Sequence, residues 1–245
     1  ARVVDLQPGN DGALAVIEEQ GKQRKIKTRL AVIADGGRSG LSEKLAVQID
    51  QHEYHQQAII ANVTVQQAHK NIAYERFTSD GPIALLPLLE EAVPAHDQRR
   101  CSLVLSVDKA KVDAVMAMND GAFLDHLQQR FGYRLGRFEK VGERFSYPLS
   151  LQWAKQPYRP GVVMVGNAAH TLHPVAGQGF NLALRGVDEL ANLLIEALAD
   201  GVSPGDAALL KQYAELRHKD QMQTIRFTDI TVRLFSNNDW LLSRL

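Results

Sequence analysis

Cysteine is almost absent from this chain. Its one copy, Cys101, lies in the apolar run SLVLSV and reads as a reduced core thiol of a cytoplasmic protein. Charge imbalance is absent too. The 28 basic and 28 acidic residues cancel, which leaves no electrostatic case for nucleic acid and no polybasic patch for a membrane. No stretch of ~18 apolar residues occurs, so no helix is expected to span a bilayer. Signal peptide, internal repeat and low-complexity segment are all missing. The chain opens at Ala1 in what reads as mid-strand, with no methionine or leader. Its 245 residues suit one large or two small domains.

The most informative stretch is VVMVGNAAHTLHPVAGQGFNLALRGVDEL, residues 162–190. Val162 to Val165 has no polar residue and is mostly β-branched, as in a strand buried on both faces of a parallel sheet. Gly166 ends it, and Asn167, Ala168 and Ala169 are small enough for close approach to the backbone. A loop with Pro174, Gly177 and Gly179 follows. From about Phe180 a helix is expected, with Leu182, Val187, Leu190, Leu193 and Leu194 at helical spacing. A helix start preceded by glycines offers free N–H groups and the positive end of a dipole, which suits a phosphate or an aromatic ring carrying negative charge.

A second buried run, Leu30 to Ala34, stops at Asp35-Gly36-Gly37. Before it, Arg2–Leu6, Ala13–Glu18 and Ile26–Thr28 read as strands, with a turn over Pro8–Gly12; Ser39–Leu45 reads as a short helix. Residues 51–150 differ in texture. Tyr54–Val65, Ala73–Thr78, Ile83–Leu88, Cys101–Val107 and Glu139–Leu149 read as strands of an antiparallel sheet with one face covered, and Asp108–Met118 and Gly121–Phe131 as helices. Residues 151–161 lead back to the central stretch, and Ala191 to Leu245 is mainly helical, broken at Pro204 and Gly205. The two buried runs flank the β-rich part, so the simplest architecture makes them neighbours in one α/β layer. Ligands of such layers bind beyond the carboxyl ends of the strands, where Asp35 and Asn167 would both sit.

Each motif has a plainer reading. Asp35-Gly36-Gly37-Arg38-Ser39 places a carboxylate where it can accept hydrogen bonds from ligand hydroxyls, and is also an ordinary Asp-Gly turn. His170 and His173 have metal-ligand spacing, but no third ligand flanks them; local packing or hydrogen bonding is the favoured role. Trp153 and Tyr158 line a pocket or pack a loop. The terminal residues Phe227 to Leu245, with Ile230, Trp240, Leu241 and Leu242, form a packing helix or an amphipathic surface for a partner or lipid.

At these residues the sequence resembles the class A flavoprotein monooxygenases of p-hydroxybenzoate-hydroxylase-like fold. Asp35-Gly36-x-x-Ser39 is similar to the family's second nucleotide motif. Gly166 to Asn181 is similar to its third, Gly-Asp, Ala-Ala-His, then Pro and Gly-Gln-Gly-x-Asn. The resemblance runs over essentially all 245 residues, including the strand GPIALLPL of the substrate domain. It is nearest to ubiquinone-biosynthesis hydroxylases of the 2-octaprenyl-6-methoxyphenol hydroxylase type. Asn167 stands in place of the usual aspartate, and Ser42 where an arginine is often found. The family's opening G-x-G-x-x-G is absent, so the chain looks like the carboxyl-terminal part of a longer enzyme.

The resemblance implies an α/β fold: a partial, Rossmann-like FAD-binding layer plus an antiparallel-sheet substrate domain of α+β type. It divides the chain into residues 1–50 (first, incomplete part of the FAD-binding domain), 51–150 (substrate domain), 151–200 (second part of the FAD-binding domain) and 201–245 (helical segment). It implies FAD held by Asp35, Gly36, Asn167, Ala169, Pro174, Gly177, Gln178, Gly179, Phe180 and Asn181. Asp35 and Asn167 would hold the ribityl region, Pro174 would press near the ring face, and the helix start would face the pyrimidine edge. The implied reaction is hydroxylation of a prenylated phenol in ubiquinone biosynthesis, using NAD(P)H and O2 through a flavin hydroperoxide, with the substrate between flavin and β-rich domain. No residue is singled out as catalytic base, and no metal is expected. Implied partners are the phenol, O2 and other ubiquinone-biosynthesis proteins, with no nucleic acid. The implied location is cytoplasmic, with peripheral contact to the inner membrane left open. The competing expectation is a non-catalytic fragment that binds a partner and lacks the ADP-binding half.

Overall fold

The structure is a computed structural model that describes residues 1–78, 80–89, 98–172, 174 and 177–235. Its strands are β1 (Arg2–Gly9), β2 (Gly12–Glu19), β3 (Lys22–Thr28), β4 (Ala31–Ile33), β5 (Ile49–Val65), β6 (Tyr74–Arg76), β7 (Ile83–Pro87), β8 (Arg100–Asp108), β9 (Phe138–Ala154), β10 (Tyr158–Arg159), β11 (Val162–Met164) and β12 (His170–Thr171). Its α-helices are α1 (Leu41–Lys44), α2 (Val112–Met116), α3 (Asp120–Phe131), α4 (Gln178–Ala199) and α5 (Ala207–Phe235). The fold is α/β, and the chain divides into two compact units, residues 1–52 with 150–228 and residues 53–149 with 229–245.

In the first unit, β11 lies between β10 and β4, antiparallel to the former and parallel to the latter. Val163 pairs with Val32 and Met164 with Ile33. The alternation of a strand sends successive side chains to opposite faces. Val162 and Met164 therefore pack with Ile33, Leu41, Leu45 and, from the β1-β2-β3 meander, Leu6 and Ala13. Val163 and Val165 pack on the other side against Leu190 and Leu193 of α4 and Leu210 and Tyr213 of α5. Burying one such aliphatic side chain is worth about 1.5–3 kcal/mol, so the helices and the meander each hold this small sheet by several residues.

Four expectations need correction here. Leu30 to Ala34 is not buried throughout: Val32 is 48% exposed, because β4 has no strand on its other side among the described residues. Pro8 belongs to β1 rather than to the turn; β1 is an edge strand, where a missing N–H breaks no ladder bond. Val187 is exposed on α4, while Leu182, Leu190 and Leu193 are buried as their spacing suggested. Residues 151–154 also continue β9 instead of forming a connector.

In the second unit β9, β5, β8, β7 and β6 form an antiparallel sheet in that order. Ile59, Ala61, Val63 and Val65 of β5 face the core with Leu103 and Leu105 of β8 and Ile83 and Leu85 of β7, under Phe123 and Leu127 of α3. Asn119 caps α3, its side chain accepting from the Ala122 N–H at 2.9 Å. Arg130 is buried, and its guanidinium donates to the carbonyls of Gly81 (2.9 Å) and Ser106 (3.2 Å) and to the Thr78 hydroxyl (3.0 Å). Cys101 is a free thiol in this core, pushed up to about 11 by burial, and so stays protonated.

Candidate functional site

Because β4 and β11 run parallel, their carboxyl ends open at the same place. Beyond β4 the chain turns at Asp35. The Gly37 N–H donates to one oxygen of its carboxylate at 2.8 Å and the Ser39 hydroxyl to the other. Partial burial works to raise the pKa of Asp35, but the hydrogen bonds from Ser39 and Gly37 together outweigh it and hold the carboxyl below its usual 3.8. Asp35 is therefore an anion that first closes its own turn and keeps lone pairs for a ligand.

Beyond β11, Gly166 takes the left-handed φ of +56° and starts a single 3-10 turn over Gly166–Ala168. Ala168 and Ala169 are buried in the same core as Leu41 and Val162, and Asn167 between the strand end and these alanines is exposed. The two turns touch. A Cβ on Gly37, whose φ is +75°, would stand 3.2 Å from the carbonyl oxygen of Asn167. A cavity of about 40 Å³ lies at this junction, lined by Gly37, Ser42, Gln152, Trp153, Asn167 and His170 among others.

The third element packs against the second turn. Gly177, in left-handed conformation with φ of +60°, donates its N–H to the Pro174 carbonyl at 3.2 Å and precedes α4. Gly177 at the N-cap has no side chain to cap α4, and the positive end of a 22-residue helix dipole lies here. A Cβ added to Gly36, Gly177 or Gly179 would meet nothing within 4 Å among the described residues, so the backbone is open to them at all three. Thus Asp35, Gly36, Asn167 and Ala169 come together, with Gln178 and Gly179 at the start of the helix that packs on them. Pro174 is exposed, and Phe180 (71%) and Asn181 are exposed on the first turn of α4. His173 lies outside the described residues. Among the described residues no group of three His, Cys, Asp or Glu side chains could hold a metal ion. Trp153 pairs with His170 across β9 and β12. Of the terminal apolar residues, Ile230 is exposed, and Trp240, Leu241 and Leu242 lie outside the described residues.

Behind the second turn is a group that motif spacing did not reveal. His170 is 4% exposed, and its Nδ1 lies 3.3 Å from the Gln221 amide nitrogen of α5. Arg217 and Asp220, one turn and one residue before Gln221, are tied to each other and to α4. Arg217 donates to the Leu182 carbonyl at 3.3 Å and to Asp220 at 2.5 Å, and Arg185 donates to both Asp220 oxygens at 2.9 and 3.0 Å. The available signal was polar residues at one-turn spacing on a long helix; a solvated charged face reads the same way.

Burial lowers the His170 pKa to about 4, and the Arg217 charge adds to it. The unfolded ring titrates near 6.5. Between these values the unfolded chain holds a proton that the folded chain does not, so this contribution is complete above pH 6.5 and is lost as pH falls toward 4. At pH 5 urea denaturation should show the protein less stable than at pH 7 by about 2 kcal/mol from this ring alone. His170→Asn should flatten that part of the slope; an unchanged slope would mean that the ring is not held neutral.

A parallel strand pair whose two glycine-bearing ends meet near the start of a long helix is the frame of a ligand-binding α/β layer. This chain belongs to the family of FAD binding domains, which matches residues 2–228. A ubiquinone hydroxylase, UbiL, of Rhodospirillum rubrum is 39% identical over 238 residues, covering 97% of this chain and 53% of the relative. The 3-demethoxyubiquinol 3-hydroxylase of Escherichia coli is 30% identical, with 87% of this chain and 52% of the relative covered. The chain thus spans about half the length of these curated relatives. Among solved structures, p-nitrophenol 4-monooxygenase PnpA of Pseudomonas putida shares the fold at a TM-score of 0.75 and 16% identity, over 99% of this chain and 59% of that one. PqsL of Pseudomonas aeruginosa, described as a probable FAD-dependent monooxygenase, does so at 0.72 and 20%, over 96% and 64%.

Proposed function

We propose that this chain carries the flavin-ring and substrate-facing part of an FAD-dependent aromatic hydroxylase that acts on a prenylated phenol in ubiquinone biosynthesis, with NAD(P)H and O2 as co-substrates. The observation that carries the reading is the meeting of the Asp35 and Asn167 turns, where a Cβ added at Gly37 would stand only 3.2 Å from the Asn167 carbonyl oxygen. The hydroxylase relatives agree with it.

The residues present fit the cofactor. Asp35 and the Asn167 amide offer acceptors and donors for the hydroxyls of a polyol chain. Gly177 and Gly179 leave room for a flat ring against the backbone, and the N–H groups of the first turn of α4 stabilise negative charge on it; one preorganised donor of this kind is worth about 3 kcal/mol. Pro174 and Phe180, both exposed, offer apolar surface beside that position. Bound FAD would supply the redox chemistry, and the protein supplies position, charge stabilisation and exclusion of water. In the second unit, the sheet face turned away from α3 sets Ile60, Val104 and Ala84 side by side by register, half-buried, with Leu86 exposed at 43%. Such a face suits a prenyl tail. A substrate of that kind brings its enzyme to a membrane surface, and among the described residues no helix is long and apolar enough to cross one. Other proteins of the same biosynthesis are fitting partners.

FAD titration into the folded chain, followed by quenching of flavin fluorescence, tests the proposal. Micromolar binding is the expected result. A chain that is folded by circular dichroism yet leaves flavin fluorescence unchanged would favour the second reading, a non-catalytic partner-binding module, which is motivated by the half-length match to the relatives.

A further inference from the structure

The face that α5 turns inward is polar where an apolar one would pack as well. Tyr213, Arg217, Gln221, Thr224 and Thr228 follow at one-turn spacing, and all are less than a tenth exposed. Buried polar groups contribute little net stability, and each must be satisfied. Arg217, Gln221, Thr224 and Thr228 all have partners. Arg217 is bonded to Leu182 and Asp220, Thr224 donates to the Asp220 carbonyl at 3.0 Å, and Thr228 to the Thr224 carbonyl at 2.9 Å. The helices approach closely at Gly186, where a Cβ would stand 3.3 Å from the Tyr213 hydroxyl and 3.4 Å from Arg217 Nε. With α5 so fixed in register, Gln221 meets His170.

His170 directly follows the Asn167-Ala168-Ala169 turn. That turn is held on one side by β9, where the Ala154 N–H donates to the Ala169 carbonyl at 2.8 Å. On the other side the His170–Gln221 pair holds it. With the Gln221 amide nitrogen turned to the ring it donates, Nδ1 accepts, and the ring proton is then assigned to Nε2. Nε2 is buried with no partner among the described residues. A neutral ring whose one donor is unpaired is an arrangement that packing alone would not choose, since a buried donor without an acceptor is destabilising.

We infer that Gln221 is a positioning residue: from α5 it holds His170 as the Nε2–H tautomer and so keeps the Asn167–Ala169 turn in the shape that receives its ligand. This rests on the flavin reading for the ligand, but not for the tautomer or the shape of the turn. The charged groups facing the ring are Arg217 and Asp220 of the same helix.

Three variants of the full chain, labelled with 15N, test it. Q221L keeps the volume and removes the donor. Q221E presents an acceptor to Nδ1. T228V changes the same face of α5 two turns away. In the wild type the His170 ring, assigned by loss of its signals in H170N, should show an unprotonated Nδ1 and a protonated Nε2. Q221E should move the proton to Nδ1 and raise the ring's titration, and both Gln221 variants should shift the backbone amide signals of residues 167–169. T228V should shift none of them. FAD affinity should fall about tenfold in Q221L, the scale of one lost supporting hydrogen bond, and stay unchanged in T228V. An Nδ1–H tautomer in the wild type would overturn the inference, as would amides 167–169 unmoved by both Gln221 variants. Should the wild type take up no flavin, the functional reading fails by itself, and the ring and amide signals still decide this one.

Discussion

Gly161→Ala is expected to destabilise the first unit by about 3 kcal/mol or more. Three glycine backbones cross at this point. A Cβ on Gly161 would stand 2.4 Å from the carbonyl of Gly12, and one on Gly205 would stand 3.0 Å from the Gly161 Cα and 2.1 Å from the Arg29 oxygen. The Gly161 N–H donates to the Gly205 carbonyl at 2.9 Å, and its own carbonyl accepts from the Ala31 N–H at 2.9 Å. These bonds join the entry to β11, the loop before α5 and the start of β4, and the Gly9 N–H of the β1-β2 hairpin donates to the neighbouring Pro160 carbonyl at 3.2 Å. A methyl group here must push the hairpin off, and in doing so it opens bonds that align the parallel pair. The left-handed φ of +74° adds about 1 kcal/mol for any residue with a Cβ. Gly201→Ala is the control, since Gly201 has φ of +72° and nothing within 4 Å. Urea denaturation at constant m should place Gly161→Ala about 2 kcal/mol or more below Gly201→Ala, the difference being the clash. Equal losses would mean that the crossing is looser than these distances. A domain stable by about 5–15 kcal/mol has little margin for such a loss.

Nothing in the local sequence marks this crossing, because Gly12, Gly161 and Gly205 become neighbours only once the meander, β11 and α5 are packed. Other parts were legible. Val162 to Val165 read as a buried strand because both of its faces are covered, one by the meander and one by α4 and α5. The same logic failed at Val32, since an apolar run cannot say whether its strand has one neighbour or two. Val187 failed for a related reason. Its spacing fits the helix period, yet Phe180, Leu184, Val187, Ile195 and Leu198 make a second, exposed apolar stripe on α4, so apolar residues alone did not identify the inward face. The candidate site was legible where its chemistry demands small residues: the glycines at strand ends and before α4 are unusual enough to be noticed. Its support was not. Arg217, Asp220 and Gln221 look like any solvated helix face until α4 and the 166–169 turn close over them.

Gly179→Val should separate fold from site, with its largest effect on binding. Gly179 is the second residue of α4, its φ is not left-handed, and a Cβ there meets nothing within 4 Å. Removing a glycine from a helix is favourable by a few tenths of a kcal/mol up to about 1 kcal/mol, so the thermal midpoint should hold or rise slightly. The open space is also where a flavin ring would lie against the backbone of the first turn, at the positive end of the helix dipole. A branched side chain would occupy it, displace the ring from that backbone and forfeit its stabilisation of charge. Flavin affinity should fall about 100-fold or more, read by fluorescence quenching beside a melting curve of the same sample. Gly179→Ala should fall between, because a single methyl group leaves part of the approach open. The pairing of an unimpaired fold with lost flavin is what a backbone cradle predicts. Retained flavin with an intact fold would move the ring away from α4, whereas loss of both would show Gly179 to be a packing residue after all.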